Sequence, residues 1–213
     1  MHAADALRVG GLTPLTTIDY PGELAAVVFC QGCPWRCRYC HNPALLPPRG
    51  AASIPWRDVR AFLERRRALL DAVVFSGGEP TLQDALEDAV AAVRSLGFKV
   101  GLHSAGIYPA RLRRLLPRLD WVGLDVKALP GNYPSVTGAA GSGAPAWESA
   151  RHVIDSGVDH ELRITVHPAL TTRDEAEEIA ARLRALGARR IVTQPCREET
   201  MRDPTLAAAT HRP

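Results

Sequence analysis

The chain has 213 residues, 46% of them hydrophobic, and a formal net charge of +3. This length suits one domain with one hydrophobic core. The sequence has no apolar stretch of about 18 residues that could span a membrane and no basic, apolar start typical of a secretion signal, so we expect a cytoplasmic protein. The net charge is small, and the arginines are scattered along the chain rather than gathered in one run. Both features argue against nucleic acid or a membrane as partner.

Six short apolar or β-branched segments alternate with amphipathic segments, which predicts parallel strands connected by helices. The predicted strands are Ala25–Phe29, Ala72–Phe75, Lys99–Leu102, Trp121–Asp125, Leu162–Val166 and Arg190–Thr193. The predicted helices are Trp56–Leu70, Leu82–Leu96, Pro109–Leu116, Ala146–Ser156 and a segment from Thr172 to about Leu186. Thr172 and Glu175 form a capping-box pattern, and Gly97 and Gly187 are suited to end helices. Gly131–Pro145, rich in Gly, Pro and Ser, is predicted to be a long loop.

Polar residues follow each predicted strand at its C-terminal end. They are Cys30 to His41, Ser76 to Glu79, His103 and Ser104, Asp125 and Lys127, His167, and Gln194. In a doubly wound sheet only the loops near the switch point reach a ligand, whereas in a barrel every strand end points at one site. The sequence therefore predicts an α/β fold, an incomplete (β/α)6 TIM-like barrel of parallel strands that is open on one side. We expect residues 1–213 to form a single domain, with a core of about 12–196 and a short C-terminal tail.

Four of the five cysteines lie between Cys30 and Cys40, and the fifth is Cys196. Thiols stay reduced in the cytoplasm, so such a cluster is more typical of metal binding than of disulfides. Two C-x-x-C pairs would suit zinc, but the pairs of a zinc site normally lie a dozen or more residues apart. Counted from Cys33, the spacing is C-x3-C-x2-C, and three such thiolates can ligate three irons of a cubane cluster and leave the fourth open.

This cysteine loop, with Tyr39 as the aromatic residue before the last cysteine, resembles the signature of the radical S-adenosylmethionine (SAM) enzymes. The resemblance implies that Cys33, Cys37 and Cys40 hold a 4Fe–4S cluster. It also implies that the open iron is chelated by the amino and carboxylate groups of SAM.

Two further motifs carry the same resemblance. Gly77-Gly78-Glu79-Pro80 resembles the family's G-G-E-P motif: its glycines permit close backbone approach, and the Glu79 carboxylate can accept bonds from an ammonium. Leu124 to Lys127 is similar to the family's D-x-K motif, which implies that Asp125 and Lys127 contribute to SAM binding and that the lysine approaches the SAM carboxylate. Lys127 is one of only two lysines against 24 arginines, so a compact ammonium is kept at this position.

The segments Asp19 to Gly22, Val28 to Pro34 and Cys40 to Pro43 are similar to the activating enzymes of glycyl radical enzymes. The similarity is closest to the activators of anaerobic ribonucleoside-triphosphate reductase. It implies that a low-potential donor such as flavodoxin or ferredoxin supplies an electron that cleaves SAM. The resulting 5′-deoxyadenosyl radical then takes a hydrogen atom from a glycine of a partner enzyme.

One segment departs from the family pattern. Pyruvate formate-lyase activators have D-T-N-G where this chain has His103-Ser104-Ala105-Gly106, so a carboxylate for the SAM ammonium is missing. Either His103 or Ser104 contacts SAM differently, or His103 is a structural histidine. The resemblance also implies that His167 and Gln194 contact the nucleoside end, whereas we expect Cys196 to be a spectator thiol. The alternatives are a radical SAM enzyme that acts on a small molecule and a non-enzymatic iron–sulfur or zinc binding module.

Overall fold

The computed structural model describes residues 3–50, 53–197 and 201–206. In these residues, seven strands form a sheet in which each strand pairs with the next along the chain. The strands are β1 (Val9–Thr16), β2 (Ala25–Cys30), β3 (Ala72–Gly77), β4 (Lys99–Ser104), β5 (Trp121–Asp125), β6 (Asp159–Val166) and β7 (Ile191–Pro195). Strands β2 to β7 are parallel, and β1 is antiparallel to β2.

Within residues 3–197, apart from the gap at 51–52, six α-helices connect or follow these strands. They are α1 (Trp56–Glu64), α2 (Leu86–Ser95), α3 (Pro109–Leu115), α4 (Tyr133–Thr137), α5 (Gly143–Ser156) and α6 (Arg173–Ala185). Short 3-10 turns cover Ala3–Ala6, Pro43–Leu45, Pro80–Leu82 and Leu116–Arg118. None of the helices in the described ranges has the length and apolar character needed to cross a bilayer.

The sequential strand order confirms the predicted incomplete barrel. A doubly wound sheet would reverse its strand order at a switch point, whereas this order runs from β1 to β7 without a reversal. Strands β1 and β7 are the two edges of the sheet and are not paired with each other, so the barrel is open between them. The carboxyl ends of the six parallel strands consequently point to the same end of the molecule.

Both faces of the sheet are buried, which explains the nearly continuous apolar strands. Residues such as Phe75 and Ile164 pack outward against the helices. Alternate residues such as Val74 point inward. There the stacked rings of Tyr20 and Trp121, 5.4 Å apart, fill the end of the barrel at which the parallel strands begin. Many side chains inside the barrel at the carboxyl ends of the strands are polar, and these line the site described below.

The prediction of six strands omitted β1. Its sequence, Val-Gly-Gly-Leu-Thr-Pro-Leu-Thr, combines two glycines and a proline, which are depleted in strands. Tertiary pairing overrides this weak local preference, since β1 lies along β2 at the edge of the sheet. Proline is tolerated at such an edge because one side of the strand needs no ladder partner.

The prediction that Gly131–Pro145 is a loop was wrong. Helix α4 lies within it, and α5 begins at Gly143 rather than at Ala146. In α4, Tyr133 and Val136 are buried at a spacing of three residues, and Gly138 ends the helix at a φ of 68°. The Gly and Pro content that suggested a loop instead marks the boundaries of two helices.

The predicted capping box at the start of α6 is only half formed. The Thr172 hydroxyl accepts a hydrogen bond from the Glu175 N–H at 3.2 Å. The Glu175 carboxylate, however, accepts hydrogen bonds from the Leu129 N–H and the Asn132 amide, so it ties α6 to the β5–α4 connection. Gly187, just beyond this helix, has a positive φ of 96°, as its sequence position predicted.

Candidate active site

A cavity of about 240 Å³ lies at the carboxyl ends of the parallel strands. Most of the predicted site residues line it: Cys33, Cys37, Tyr39, Cys40, Gly77, Gly78, His103, Ser104, Asp125, Lys127 and Gln194. These residues come from five strand ends and are far apart in the sequence. The barrel topology therefore brings together the side chains that the sequence motifs singled out.

The cysteine loop separates one buried thiol from three that reach the cavity. Cys30 is the last residue of β2 and is fully buried in the main core. Cys33, Cys37 and Cys40 are partly exposed and line the cavity. In the described ranges, no group of three or more His, Cys, Asp or Glu side chains could hold a metal ion. A cubane cluster makes a different demand, because each of its protein thiolates binds a separate iron.

Helix α4 supports the cysteine loop through backbone hydrogen bonds and a ring contact. The Arg36 and Arg38 N–H groups donate to the carbonyl oxygens of Thr137 and Val136 at 2.9 and 3.0 Å. Trp35 packs edge-on against the ring of Tyr133, with centroids 5.9 Å apart. The segment that the sequence predicted as a loop is thus the support of the three thiols.

The glycine pair after β3 allows two chain segments to pack against each other. The Gly78 N–H donates to the Cys30 carbonyl, and the Glu79 N–H donates to the Gly32 carbonyl, both at 2.9 Å. A Cβ on Gly78 would lie 2.3 Å from the Gly32 oxygen, and one on Gly77, at a φ of 110°, would lie 2.6 Å from Cys30 backbone atoms. The absence of side chains is therefore required by the neighbouring cysteine loop, a reason that the sequence analysis did not foresee.

Gly78→Ala is expected to lower the cluster content of the protein, because the new methyl group would push the backbone before Cys33 out of place. Iron and sulfide analysis after anaerobic reconstitution would measure the loss. Gly131→Ala is the matched control, since a Cβ there meets no atom within 4 Å. A full complement of iron in folded Gly78→Ala would contradict this reading of the turn.

Glu79, whose carboxylate the sequence predicts to accept bonds from an ammonium, does not line the cavity and is hydrogen-bonded within the protein. The side chain is fully buried. One carboxylate oxygen accepts from the Thr81 N–H, the Thr81 hydroxyl and the Ser104 hydroxyl, and the other accepts from the Ala105 N–H. Burial raises the pKa of Glu79, although these hydrogen bonds oppose the rise. Glu79 thereby ties the turn after β3 to the end of β4.

Three charged side chains form a connected group at the cavity wall. The buried Lys127 Nζ lies 3.1 Å from one oxygen of Asp125, and Arg163 Nε lies 3.2 Å from the other. Burial acts to raise the pKa of Asp125, but the two cations outweigh it and lower this pKa to about 2. Burial acts to lower the pKa of Lys127, yet Asp125 chiefly outweighs it and holds that pKa well above its usual value. Asp125 and Lys127 are therefore both charged.

Arg163 is a site residue that the sequence analysis missed. It lies on β6 two residues before Thr165, and both side chains line the cavity. The signal was present, because two polar residues alternate with apolar ones inside a predicted strand, and such alternation indicates one polar face. The Gln194 amide reaches the Thr165 hydroxyl at 3.4 Å, which places Gln194 on the same wall.

His103 lines the cavity and is also fixed by the surrounding structure. Its Nε2–H donates to the Asp19 carbonyl at 2.8 Å, and its Nδ1 lies 3.4 Å from the Ser76 hydroxyl. Burial, assisted by Arg163, lowers the pKa of His103 to about 4, so the ring is neutral at physiological pH. Of the two predicted roles for His103, these contacts favour the structural one.

Two other predicted residues do not line the cavity. His167 is fully buried in the turn after β6, where its Nδ1 accepts from the Ala169 N–H at 3.1 Å. Pro80 is buried and begins the 3-10 turn after Glu79. Both lie at strand ends as predicted, but their side chains are used by local structure.

The chemistry of the donor set fits an iron–sulfur cluster and a charged small molecule. Three thiols line part of the cavity. The buried ammonium of Lys127 lies 5.4 Å from the centre of the Tyr39 ring, at a distance typical of a cation–π contact. Tyr39 therefore lies between the cysteine loop, to which it belongs, and Lys127. The Tyr39 hydroxyl is buried and has no hydrogen-bond partner in the part of the chain that the structure describes. A buried donor left in this way is typical of a site that a bound group or a water molecule completes.

Comparisons with known proteins agree with this geometry. The family model described as Radical SAM superfamily matches residues 27–183. A Methanocaldococcus jannaschii protein named as a glycyl-radical enzyme activating enzyme is 31% identical over 180 residues, covering 81% of this chain and 73% of that protein. The pyruvate formate-lyase-activating enzyme of Clostridium pasteurianum is 30% identical over 174 residues, covering 79% of this chain and 72% of that protein.

A solved structure shows the same fold at low sequence identity. QueE from Escherichia coli matches with a TM-score of 0.58 and 16% identity over 96% of this chain and 88% of that chain. The family model spans more than half of the chain, and the archaeal relative exceeds 30% identity over most of both proteins. The chain therefore belongs to the radical SAM superfamily, enzymes that use a 4Fe–4S cluster and SAM, and within it to the glycyl-radical enzyme activating enzymes.

Proposed function

We propose that this protein generates a glycyl radical on anaerobic ribonucleoside-triphosphate reductase. One observation carries the proposal: a single cavity contains the three thiols of the C-x3-C-x2-C loop, the Gly77-Gly78 turn and the buried Lys127. The choice of partner rests on the similarity of Asp19 to Gly22 and Cys40 to Pro43 to the activators of that reductase. We further propose that the chain acts as a single radical SAM domain in the cytoplasm.

In this proposal two sets of cavity-lining residues have different roles. Cys33, Cys37 and Cys40 hold the 4Fe–4S cluster. Other lining residues bind SAM, and they are Tyr39, Gly77, Gly78, Ser104, Asp125, Lys127 and Gln194. When bound, the cluster and SAM together supply a carbon radical that can take a hydrogen atom from a substrate. The chain itself orients the charged ends of SAM and excludes water from the reacting atoms.

Lys127 is the main charged contact that we assign to SAM. Its ammonium is held by Asp125, and Arg163 neutralises the second oxygen of the same carboxylate. The ion pair fixes Lys127 while its other N–H bonds remain available for a carboxylate. Such a preorganised cation loses little entropy when an anionic group binds.

The size of the cavity and the open side of the barrel support a protein substrate. The cavity of about 240 Å³ is smaller than the roughly 300–1,000 Å³ typical of small-molecule sites. SAM itself has to occupy part of it, which leaves little room for a second small molecule. In this proposal an extended segment of the partner enters through the opening between β1 and β7, the two unpaired edges of the sheet. A low-potential carrier such as flavodoxin or ferredoxin is the electron donor in this proposal.

Incubation of the reduced protein with SAM and the anaerobic reductase is expected to give a glycyl doublet in electron paramagnetic resonance. The partner should also accelerate SAM cleavage, because its glycine traps the radical productively. Alanine in place of the partner's radical glycine should abolish the doublet, and the Cys37→Ala activator should not produce it.

Two outcomes would change the proposal in different ways. The name of the Clostridium pasteurianum relative suggests pyruvate formate-lyase as the second partner to assay. A doublet on that enzyme alone would overturn the choice of partner and keep the activity. If neither enzyme gave a doublet while a small metabolite accelerated SAM cleavage, a small-molecule radical enzyme would replace this function.

A further inference from the structure

Residues 201–206 pack against the outer side of the cysteine loop. The Arg202 N–H donates to the Cys40 carbonyl and the Asp203 N–H donates to the Arg38 carbonyl, both at 3.0 Å. Next to these bonds, Arg38 Nε and Asp203 Oδ2 form an ion pair of 2.8 Å. The Arg202 guanidinium also donates to the Arg36 carbonyl at 3.0 Å. A segment that the sequence predicts as a tail thus makes a continuous set of bonds with the loop.

The segment is anchored as well as bonded. The second oxygen of Asp203 accepts from the Thr205 N–H at 3.0 Å and from its hydroxyl at 2.6 Å. These bonds from Thr205 and the pairing with Arg38 lower the pKa of Asp203 to about 2. Leu206 is only 1% exposed and belongs to the same hydrophobic cluster as Trp35 and Tyr39. Both carboxylate oxygens and the following apolar side chain therefore fix the segment in one place.

The loop is held from two opposite directions at Arg38. Its N–H donates to the Val136 carbonyl of α4, while its carbonyl accepts from the Asp203 N–H. Arg38 lies between Cys37 and Cys40, so two of the three cavity thiols lie on the part of the loop that is held in this way. Helix α4 and residues 201–206 together form a clamp around it.

We propose that residues 201–206 are part of the cluster site and that Asp203 is a positioning residue for Cys37 and Cys40. The inference rests on the cluster ligands assigned above. A cluster is lost when a thiolate moves away from its iron. Holding the loop in the ligating conformation before the cluster binds reduces the entropy that binding must offset. Release of the ion pair is therefore expected to make the cluster easier to remove.

Asp203→Asn tests this role, because asparagine keeps an acceptor oxygen for Thr205 and loses the charge that pairs with Arg38. The rate of iron transfer from the reconstituted protein to an iron chelator, measured without oxygen, should rise several-fold. The matched control is Asp120→Asn. Asp120 forms a 2.7 Å ion pair with Arg94 and accepts from the Val100 N–H, at the opposite end of the barrel. Its substitution should leave the rate of iron transfer unchanged.

Charge reversal separates positioning from general stability. Arg38→Asp and Asp203→Arg should each accelerate iron loss, and the double variant should return the rate towards that of the unmodified protein. Equal rates for Asp203→Asn and Asp120→Asn at matched melting temperatures would overturn the proposal, as would failure of the double variant to restore the rate. The assay needs no partner enzyme. The iron-transfer assay can therefore be interpreted even if the glycyl-radical experiment fails.

Discussion

Replacing Cys33, Cys37 or Cys40 by alanine is expected to abolish assembly of the 4Fe–4S cluster, whereas Cys30→Ala and Cys196→Ala should retain it. Each of the first three thiols lines the cavity. With one ligand missing, two irons of the cube would lack a protein ligand instead of one, and the cluster should not survive purification. The variants of Cys33, Cys37 and Cys40 should lose essentially all their iron, whereas Cys30→Ala and Cys196→Ala should lose almost none.

Cys30 provides the stringent control because it belongs to the same tight cysteine cluster in the sequence. Its thiol is fully buried in the main core, and burial raises its pKa far above the usual value. Cys30→Ala should therefore cost some stability, about 1 kcal/mol as for a typical point mutation, and no iron. Iron and sulfide analysis with visible absorption after anaerobic reconstitution would measure cluster content. If Cys30→Ala lost the cluster as fully as Cys37→Ala, the three-ligand assignment would be wrong.

The parts of the fold that the sequence predicts are those in which local pattern and tertiary role agree. The buried parallel strands read as apolar runs because both sheet faces are covered, and Trp121–Asp125 has the predicted bounds. The Thr172 cap that predicts helix α6 is present in the structure. The barrel itself followed from chemistry-bearing residues at successive strand ends, which only a closed or nearly closed arrangement brings to one place.

The remaining parts depend on contacts between distant segments, which leave little trace in a local window. Strand β1 is stabilised by pairing with β2 despite unfavourable residues. Helix α4 has only five residues, too few for a periodic pattern. Residues 201–206 look like a polar tail, and only their bonds to the cysteine loop reveal a role. Such elements are stabilised by contacts with segments distant in the sequence, so a local sequence window does not predict them.

The candidate site shows the same division. Residue types at motif positions predicted which segments meet, but not which atoms face the cavity. Glu79 belongs to a motif, yet its carboxylate is taken up by Thr81, Ser104 and Ala105. Arg163 lies outside the motifs described above, yet it contacts Asp125 in the cavity wall. A motif therefore identified the neighbourhood, while hydrogen-bond geometry decided the role of each residue.

Lys127→Met is expected to weaken SAM binding by roughly ten- to a hundredfold while leaving cluster content intact. Methionine keeps most of the side-chain volume and removes the ammonium. A hydrogen bond to a charged group contributes about 1.5 to 3 kcal/mol, which corresponds to this range of affinity. Asp125 should remain ionised in the variant, because Arg163 still lies 3.2 Å from one of its oxygens. The cysteine loop makes its own bonds to α4 and should hold its cluster.

The second lysine of the chain supplies a matched control for this prediction. Lys99 pairs with Glu23 at the start of β4, at the opposite end of the barrel from the cavity. Lys99→Met removes the same charge from the same fold and is expected to leave SAM affinity unchanged. Isothermal titration of SAM into the anaerobically reconstituted proteins would measure both affinities, with iron analysis of the same samples. Equal affinity in Lys127→Met and the unmodified protein would show that this ammonium does not contact SAM. It would reduce Lys127 to a structural partner of Asp125.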